Sequence, residues 1–286
     1  VYPIITAEFL SDGVKRFVIA APRVARRPKP GQFVIVRIAD AGERIPLTIA
    51  DSDPAAGTIE LIVKAVGATT EQMVQLETGD AFTDVAGPLG RPTDIEHLGH
   101  AVLVGGGVGT AVIYPQARAL KKAGNFVSAI IGGQSRDAVI LEPQLRDGVD
   151  IVHVCTDDGS WGFHGFVTGK LSEVIDAALP PVNVVYAAGP VPMMRTVADL
   201  TRPANIKTIV SLNPVMVDGT GMCGGCRVKI AGQVRFACVE GPEFDGHDVD
   251  FDELAARLKS YRRQEKTALQ QLHPEPCRAA EAAEQT

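Results

Sequence analysis

The chain has 286 residues, which at roughly 150 residues per domain allows about two domains. Hydrophobic residues make up 45% and charged residues 22%, enough apolar material for packed cores and against wholesale disorder. Lys and Arg number 28 against 34 Asp and Glu, a net charge of −6, and aromatics are 5%. Nucleic acid is therefore not an expected partner: phosphate binding needs clustered cations and base stacking needs aromatic platforms.

Residues 1–96 read as short strands. FVIVR (Phe33–Arg37) and IELIV (Ile59–Val63) are broken by PKPG (28–31), PAAG (54–57) and GPLG (87–90), a spacing that predicts a small antiparallel barrel. From residue 97 to 210 the pattern changes. AVLV (Ala101–Val104), FVSAII (Phe126–Ile131), DIVHV (Asp150–Val154) and NVVYA (Asn183–Ala187) are continuous apolar runs, and Thr110–Ala123 has a helical pattern between the first two. Strand–helix alternation with such runs predicts a parallel sheet covered on both faces. Residues 211–250 are rich in Gly and Cys, 251–272 read as a charged helix, and the remainder to 286 as a frayed tail. The longest apolar stretch, Ala101–Pro115, has 15 residues and four glycines; a membrane span takes about 20. Val1–Phe17 lacks the basic start, apolar run and cleavage site of a secretory signal, so a cytoplasmic location is expected.

Three of five cysteines cluster: Asp218-x4-Cys223-x2-Cys226-x11-Cys238, in a loop with Gly219, Gly221, Gly224 and Gly225. Plant-type two-iron loops carry Cys-x4-Cys-x2-Cys and a distant fourth Cys, and Asp218 stands in the first place here. The glycines permit the positive φ values and close backbone approach that wrapping a cluster requires. Zinc could use the same thiolates, and His247 is the alternative fourth ligand. Lone Cys155 and Cys277 read as a core thiol and a tail thiol.

Gly105-Gly106-Gly107-Val108-Gly109-Thr110 follows a strand and opens a helix, a plausible pyrophosphate site at a helix N-terminus. Gly133 ends the next strand, and Ser135 and Arg136 beyond it could meet a 2′-phosphate, which keeps NADP open. Gly189-Pro190 with Met193 and Met194 ends the last strand, where α/β proteins bind ligands. In the barrel, Arg44-x-Pro46-Leu47-Thr48 offers a guanidinium fork for phosphate and a hydroxyl for a ring nitrogen. Val63-Lys64 with Gly67, Thr69 and Thr70 could form a second phosphate cradle, although each barrel motif alone also reads as an exposed strand charge or a turn.

In this order the motifs resemble the ferredoxin-reductase-like flavoproteins over residues 1 to about 255. More narrowly they resemble the electron-transfer subunit of dihydroorotate dehydrogenase and the small subunits of NADH-dependent reduced ferredoxin:NADP oxidoreductase and of sulfide dehydrogenase. The resemblance implies an FAD-binding barrel (1–96), an NAD(P)-binding α/β domain (97–210), a [2Fe-2S] segment (211–250) and a C-terminal helix and tail (251–286). It implies that Arg44 binds FAD phosphate, that Pro46, Leu47 and Thr48 line the isoalloxazine, and that Thr69 and Thr70 hold the pyrophosphate. Gly106–Thr110 would bind the dinucleotide, with Asp157, Asp158 and Gly189–Met194 near the nicotinamide. Asp218, Cys223, Cys226 and Cys238 would hold the cluster. A larger flavin/iron–sulfur partner subunit, ferredoxin reached through the complex, and electron bifurcation are implied as well. No side-chain acid, base or nucleophile is needed for hydride transfer. Asp in place of a fourth cysteine favours the ferredoxin:NADP and sulfide dehydrogenase subunits over the dihydroorotate type.

Overall fold

A computed structural model describes residues 1–40 and 42–272; the expectations for the tail and for Cys277 lie outside the described residues. The first seven strands are β1 (Tyr2–Ser11), β2 (Val14–Ala20), β3 (Phe33–Arg37), β4 (Ile45–Asp53), β5 (Thr58–Lys64), β6 (Ala81–Phe82) and β7 (Asp84–Leu89). Two short helices, α1 (Pro22–Ala25) and α2 (Ala68–Met73), interrupt them. The strands form one antiparallel sheet in the order β6-β1-β2-β5-β4-β3-β7. Its two edge strands are separated in the chain by Thr83 alone, so the sheet curls into a nearly closed barrel. β4 makes the sharpest corner. It pairs with β3 through Ile45–Thr48 and with β5 from Ile49 on, with an irregular register at the change. Phe17, Ile19, Val34, Ile59, Leu61 and Phe82 fill the interior.

Lys15, on β2, is buried without being an error of patterning. Its ammonium donates to the Val74 carbonyl (3.1 Å) and to the Glu77 carboxylate (2.7 Å), and lies over the Phe9 ring. Val74 is the C-terminal cap of α2, where a cation meets the free carbonyls and the negative end of the helix. Lys15 thus ties α2 to the barrel wall.

The second sheet contains β8 (His100–Gly106), β9 (Phe126–Gly133), β10 (Ile151–Thr156), β11 (Phe163–His164), β12 (Val182–Ala188) and β13 (Lys207–Ser211). Its helices are α3 (Gly109–Lys122), α4 (Glu142–Gly148), α5 (Val167–Ala177) and α6 (Val191–Thr201). All these strands run parallel, in the order β11-β10-β9-β8-β12-β13. The chain therefore starts at the middle, moves out one way, and returns to the other side of β8. Side-chain alternation explains the unbroken apolar runs. Ala101 and Leu103 face α3, while Val102 and Val104 face α5 and α6.

The C-terminal segment adds a hairpin, β14 (Arg227–Ile230) and β15 (Gln233–Phe236), a one-turn helix α7 (Ala237–Glu240) and β16 (Glu243–Asp245). β16 pairs antiparallel with β13, so this segment finishes the edge of the parallel sheet. The expected single helix over 251–272 is two, α8 (Phe251–Lys259) and α9 (Arg262–Leu272). α8 packs on β14 and α6, whereas α9 rests against α2. No helix among the described residues is long and apolar enough to cross a membrane.

Glu243, on β16, sits where the three segments meet. Its carboxylate accepts hydrogen bonds from Thr93 Oγ1 (2.7 Å), which follows the barrel, and from the Gln116 amide of α3. Burial, with the Asp94 charge adding to it, pushes this carboxyl up to about 7. In the unfolded chain the same group titrates near 4.5. Below that pH it is neutral in both states. As pH rises to 7 the unfolded chain ionises first, and the folded state loses about 3 kcal/mol. Glu243→Gln removes the charge and keeps an acceptor for both donors. Its stability should match wild type near pH 4.5 and exceed it by up to about 3 kcal/mol at pH 8, read from urea midpoints across that range.

Candidate functional site

The crevice between β8 and β12 is a topological switch point, where open α/β sheets bind ligands at the carboxyl ends of their strands. Its two loops touch. A Cβ on Gly109 would fall inside contact distance of the Ala188 carbonyl, and one on Gly106 would stand 2.6 Å from Met193 Sδ. Gly107 differs: it has φ +56° and nothing within 4 Å of its missing side chain, so its backbone lies bare on the open side. The Thr110 N–H donates to the Gly107 carbonyl (3.1 Å), starting α3, and Thr110 itself is buried. Val108 packs toward the barrel-facing cluster that contains Ala50 and Ala111. Across the crevice Gly189 has φ +155° and Pro190 caps α6.

Gly133, Asp157 and Asp158 lie on the other flank. The Asp157 N–H donates to the Gly133 carbonyl (3.1 Å), and Asp158 Oδ1 accepts from the Ser160 N–H (2.9 Å) and hydroxyl (2.6 Å). The Ser160 bonds hold the Asp158 carboxyl below the usual range. Arg136 stacks on Trp161 here, with its guanidinium carbon 4.8 Å from the ring centre. The structure does not bring Asp157 and Asp158 together with Gly189–Met193. β10 and β12 are three strand spacings apart, roughly 14 Å, so the two groups flank opposite sides of the crevice.

In the barrel, Arg44 is exposed and makes no hydrogen bond or ion pair with another described residue. Leu47 packs with Ile45 and Ile49 against the interior, which leaves Pro46 and Thr48 on the opposite face of β4. Val63 is in the barrel core and offers only its backbone, while Lys64 is exposed. Gly67 opens α2 with nothing within 4 Å of its Cβ position. Both threonine hydroxyls are already engaged. Thr70 Oγ1 accepts from the Val66 and Gly67 N–H groups (2.9 and 3.0 Å), and Thr69 donates to Glu43 (2.5 Å). Thr70 shapes the start of α2 and Thr69 ties it to Glu43, so the donors of this cradle left open in this geometry are backbone groups.

The cysteine loop brings its four expected ligands together as two pairs. Cys226 and Cys238 are buried with sulfurs 3.1 Å apart. Asp218 Oδ2 accepts from the Cys223 N–H (2.6 Å) and Oδ1 from the Thr220 N–H (2.8 Å), and Cys223 is exposed. The Thr220 bond and then the Cys223 bond hold the Asp218 carboxyl below the usual range. Burial, with Cys226 beside it, pushes the Cys238 thiol up to about 12, a cost that a bound cation removes by stabilising thiolate. Among the described residues no three such groups yet stand at metal-holding distance. Two pairs suit a two-iron cluster, in which each iron takes two protein ligands. His247 is elsewhere, with Nε2 2.9 Å from Thr201 Oγ1, and Cys155 is a core thiol that burial pushes up to about 12.

The loop sits directly on the barrel, which sequence reasoning did not reveal. Gly219 has φ +75°, and a Cβ there would stand 2.5 Å from Leu89 Cδ1 and 3.0 Å from Ile35 Cγ1. Leu89 belongs to the GPLG turn, but nothing in its spacing names its partner.

Comparison with known proteins gives these sites cofactors. An oxidoreductase FAD-binding domain matches residues 2–93, and the iron–sulfur cluster binding domain of dihydroorotate dehydrogenase B matches residues 213–250. A Thermotoga maritima homolog of the electron transfer subunit of dihydroorotate dehydrogenase B (NAD(+)) is 46% identical over 257 residues, 90% of each chain. The electron transfer subunit of that enzyme from Bacillus caldolyticus is 32% identical over 84% of this chain and 94% of its own. A chain in the structure of an NADH-dependent reduced ferredoxin-NADP oxidoreductase, studied for flavin-based electron bifurcation, superposes with TM-score 0.90 at 43% identity, covering 95% of this chain and 97% of that one. Gly219→Ala imposes both a strained φ and a clash between the matched regions. It should lower iron and sulfide content at least twofold and leave FAD content unchanged, measured by metal, sulfide and flavin analysis. The chain belongs to the family of dihydroorotate dehydrogenase B-type electron transfer subunits, and is an oxidoreductase subunit with an FAD-binding barrel and an iron–sulfur segment.

Proposed function

We propose that this chain is the small subunit of a cytoplasmic, electron-bifurcating ferredoxin:NADP-type oxidoreductase. It exchanges electrons with NAD(H) and passes them to a larger flavin/iron–sulfur partner, with ferredoxin engaged through the complex. The observation that carries this reading is the packing of the Asp218–Cys226 loop on barrel strands β3 and β7 at Gly219, which puts a cluster segment against an FAD-binding barrel. The carboxylate at Asp218 in place of a fourth cysteine and the superposition on the reduced ferredoxin-NADP oxidoreductase chain support the choice over dihydroorotate, and the 46% identity to the Thermotoga maritima homolog is the competing observation.

When bound, FAD converts a hydride into single electrons and the [2Fe-2S] cluster carries them one at a time. In this reading the unpaired Arg44 and the amides that follow Gly67 bind the FAD phosphates, and Thr48 and Pro46 face its ring. The bare Gly107 backbone and the start of α3 receive the dinucleotide pyrophosphate. Gly189–Met193 wall the nicotinamide side, and Gly133, Asp157 and Asp158 frame the adenosine side. Asp218 and Cys223 hold one iron, Cys226 and Cys238 the other. The domains are then 1–96, 97–210 and 211–250, with 251–286 as the C-terminal extension.

Anaerobically purified protein should contain about two irons, two acid-labile sulfides and one FAD per chain. The co-purified complex should reduce pyridine nucleotide with reduced ferredoxin and not with dihydroorotate; turnover of dihydroorotate would transfer the chain to that enzyme class. Gly109→Ala leaves no room between the two crevice loops. It should raise KM for NADH at least tenfold in a dye-reduction assay, with FAD and iron content unchanged. Arg136→Ala should depress NADPH turnover while NADH turnover stays within twofold, because the guanidinium answers a 2′-phosphate that NADH lacks.

A further inference from the structure

The iron–sulfur match ends at residue 250, yet the next helix reaches back into the loop. Asp250 caps α8 by accepting the Glu253 N–H (3.0 Å), and Phe251 and Leu254 are buried in the core that contains Cys226, Val228 and Cys238. These anchors set the direction of the second turn. There Arg257 Nη2 donates to the Gly225 carbonyl (3.2 Å), between the two cysteines of Cys223-Gly-Gly-Cys226. The Gly225 N–H in turn donates to Cys223 Sγ (3.5 Å). A glycine has no Cβ to limit its torsions, so an external bond to its carbonyl restrains the residue and steadies the neighbouring peptide whose N–H meets Cys223. That carbonyl also belongs to the peptide carrying the Cys226 N–H, so the same bond fixes the approach to the buried cysteine pair.

Arg257 is not electrically isolated. Glu253, one turn earlier, places Oε1 3.7 Å from Arg257 Nε. Its Oε2 is buried with no hydrogen-bond partner among the described residues, so that carboxylate opposes the guanidinium without a donor of its own.

We propose that Arg257 is a positioning residue for the cluster: its guanidinium holds Gly225 so that the N–H faces the Cys223 sulfur, and the Arg257–Glu253 pair sets the cluster's reduction potential. A sulfur-directed N–H and a nearby cation both favour the more negative, reduced cluster, and raise its potential. A nearby carboxylate lowers it. The inference rests on the cluster-loop assignment above.

The test uses the full chain in its complex, with iron and sulfide measured before an EPR-monitored redox titration. Arg257→Gln should lower the midpoint so that the reduced-to-oxidised ratio at the wild-type midpoint falls at least threefold, about 28 mV from 59 mV per tenfold for one electron. It should also change the EPR signal of the reduced cluster. Glu253→Gln should shift the midpoint upward, and Arg257→Lys should recover part of the loss, keeping charge without the planar fork. A fully loaded Arg257→Gln protein with wild-type midpoint and signal overturns the proposal. If Arg257→Gln loses iron, Glu253→Gln decides, and an unshifted or lowered midpoint overturns it. Iron and signal that survive Cys226→Ala would instead overturn the cluster-loop assignment itself.

Discussion

Cys226 and Cys238 are buried in the same apolar core as Phe33 and Ile35 of the barrel and Val185 and Val210 of the parallel sheet. The rest of the molecule depends on this shared core. Three segments of different architecture cannot move independently when one set of side chains fills the space between them, because interiors are close-packed and removing any wall leaves a void. β16 reinforces the arrangement with hydrogen bonds, by completing the edge of the parallel sheet from within the C-terminal segment. An electron-transfer protein gains fixed distances between its redox sites from such a core. Burial disfavours the Cys238 thiolate, and a bound cation would offset that.

Backbone approach, rather than side-chain chemistry, builds the binding surfaces. Gly109 lets α3 start against the Ala188 carbonyl, Gly107 leaves its backbone bare, and Gly219 lets the cluster loop lie on Ile35 and Leu89. The side chains near these glycines mostly serve the fold. Thr70 and Asp158 spend their oxygens on local bonds, Thr69 donates to Glu43, and Lys15 pins the far end of α2. This division suits cofactor chemistry, in which the protein supplies orientation and electrostatics rather than a nucleophile or a base.

Much of the architecture was legible in the chain. Pro- and Gly-punctuated strands marked the barrel, and unbroken apolar runs marked strands covered on both faces. Three cysteines at cluster spacing marked the metal segment. The finer placements were less legible. The resemblance implied Asp157 and Asp158 beside Gly189 on the nicotinamide side, and sheet order puts β10 and β12 on opposite flanks of the crevice. Leu47 and Thr48 are adjacent in one motif, and alternation along β4 sends them to opposite faces. Glu243 and Arg257 carried no signal at all, since each is an ordinary charge until Thr93 and Gln116, or Gly225, come to meet it.

The sequence by itself determined the element types, the order of the three segments and the presence of an iron–sulfur segment, because periodicity, turn residues and cysteine spacing are local properties. Only the tertiary structure decided which glycine touches which strand, which carboxyl is stranded at a junction, and which arginine reaches the loop. Those facts depend on contacts between residues 32 or more positions apart, and a contact over such a separation leaves no trace in the spacing of either partner.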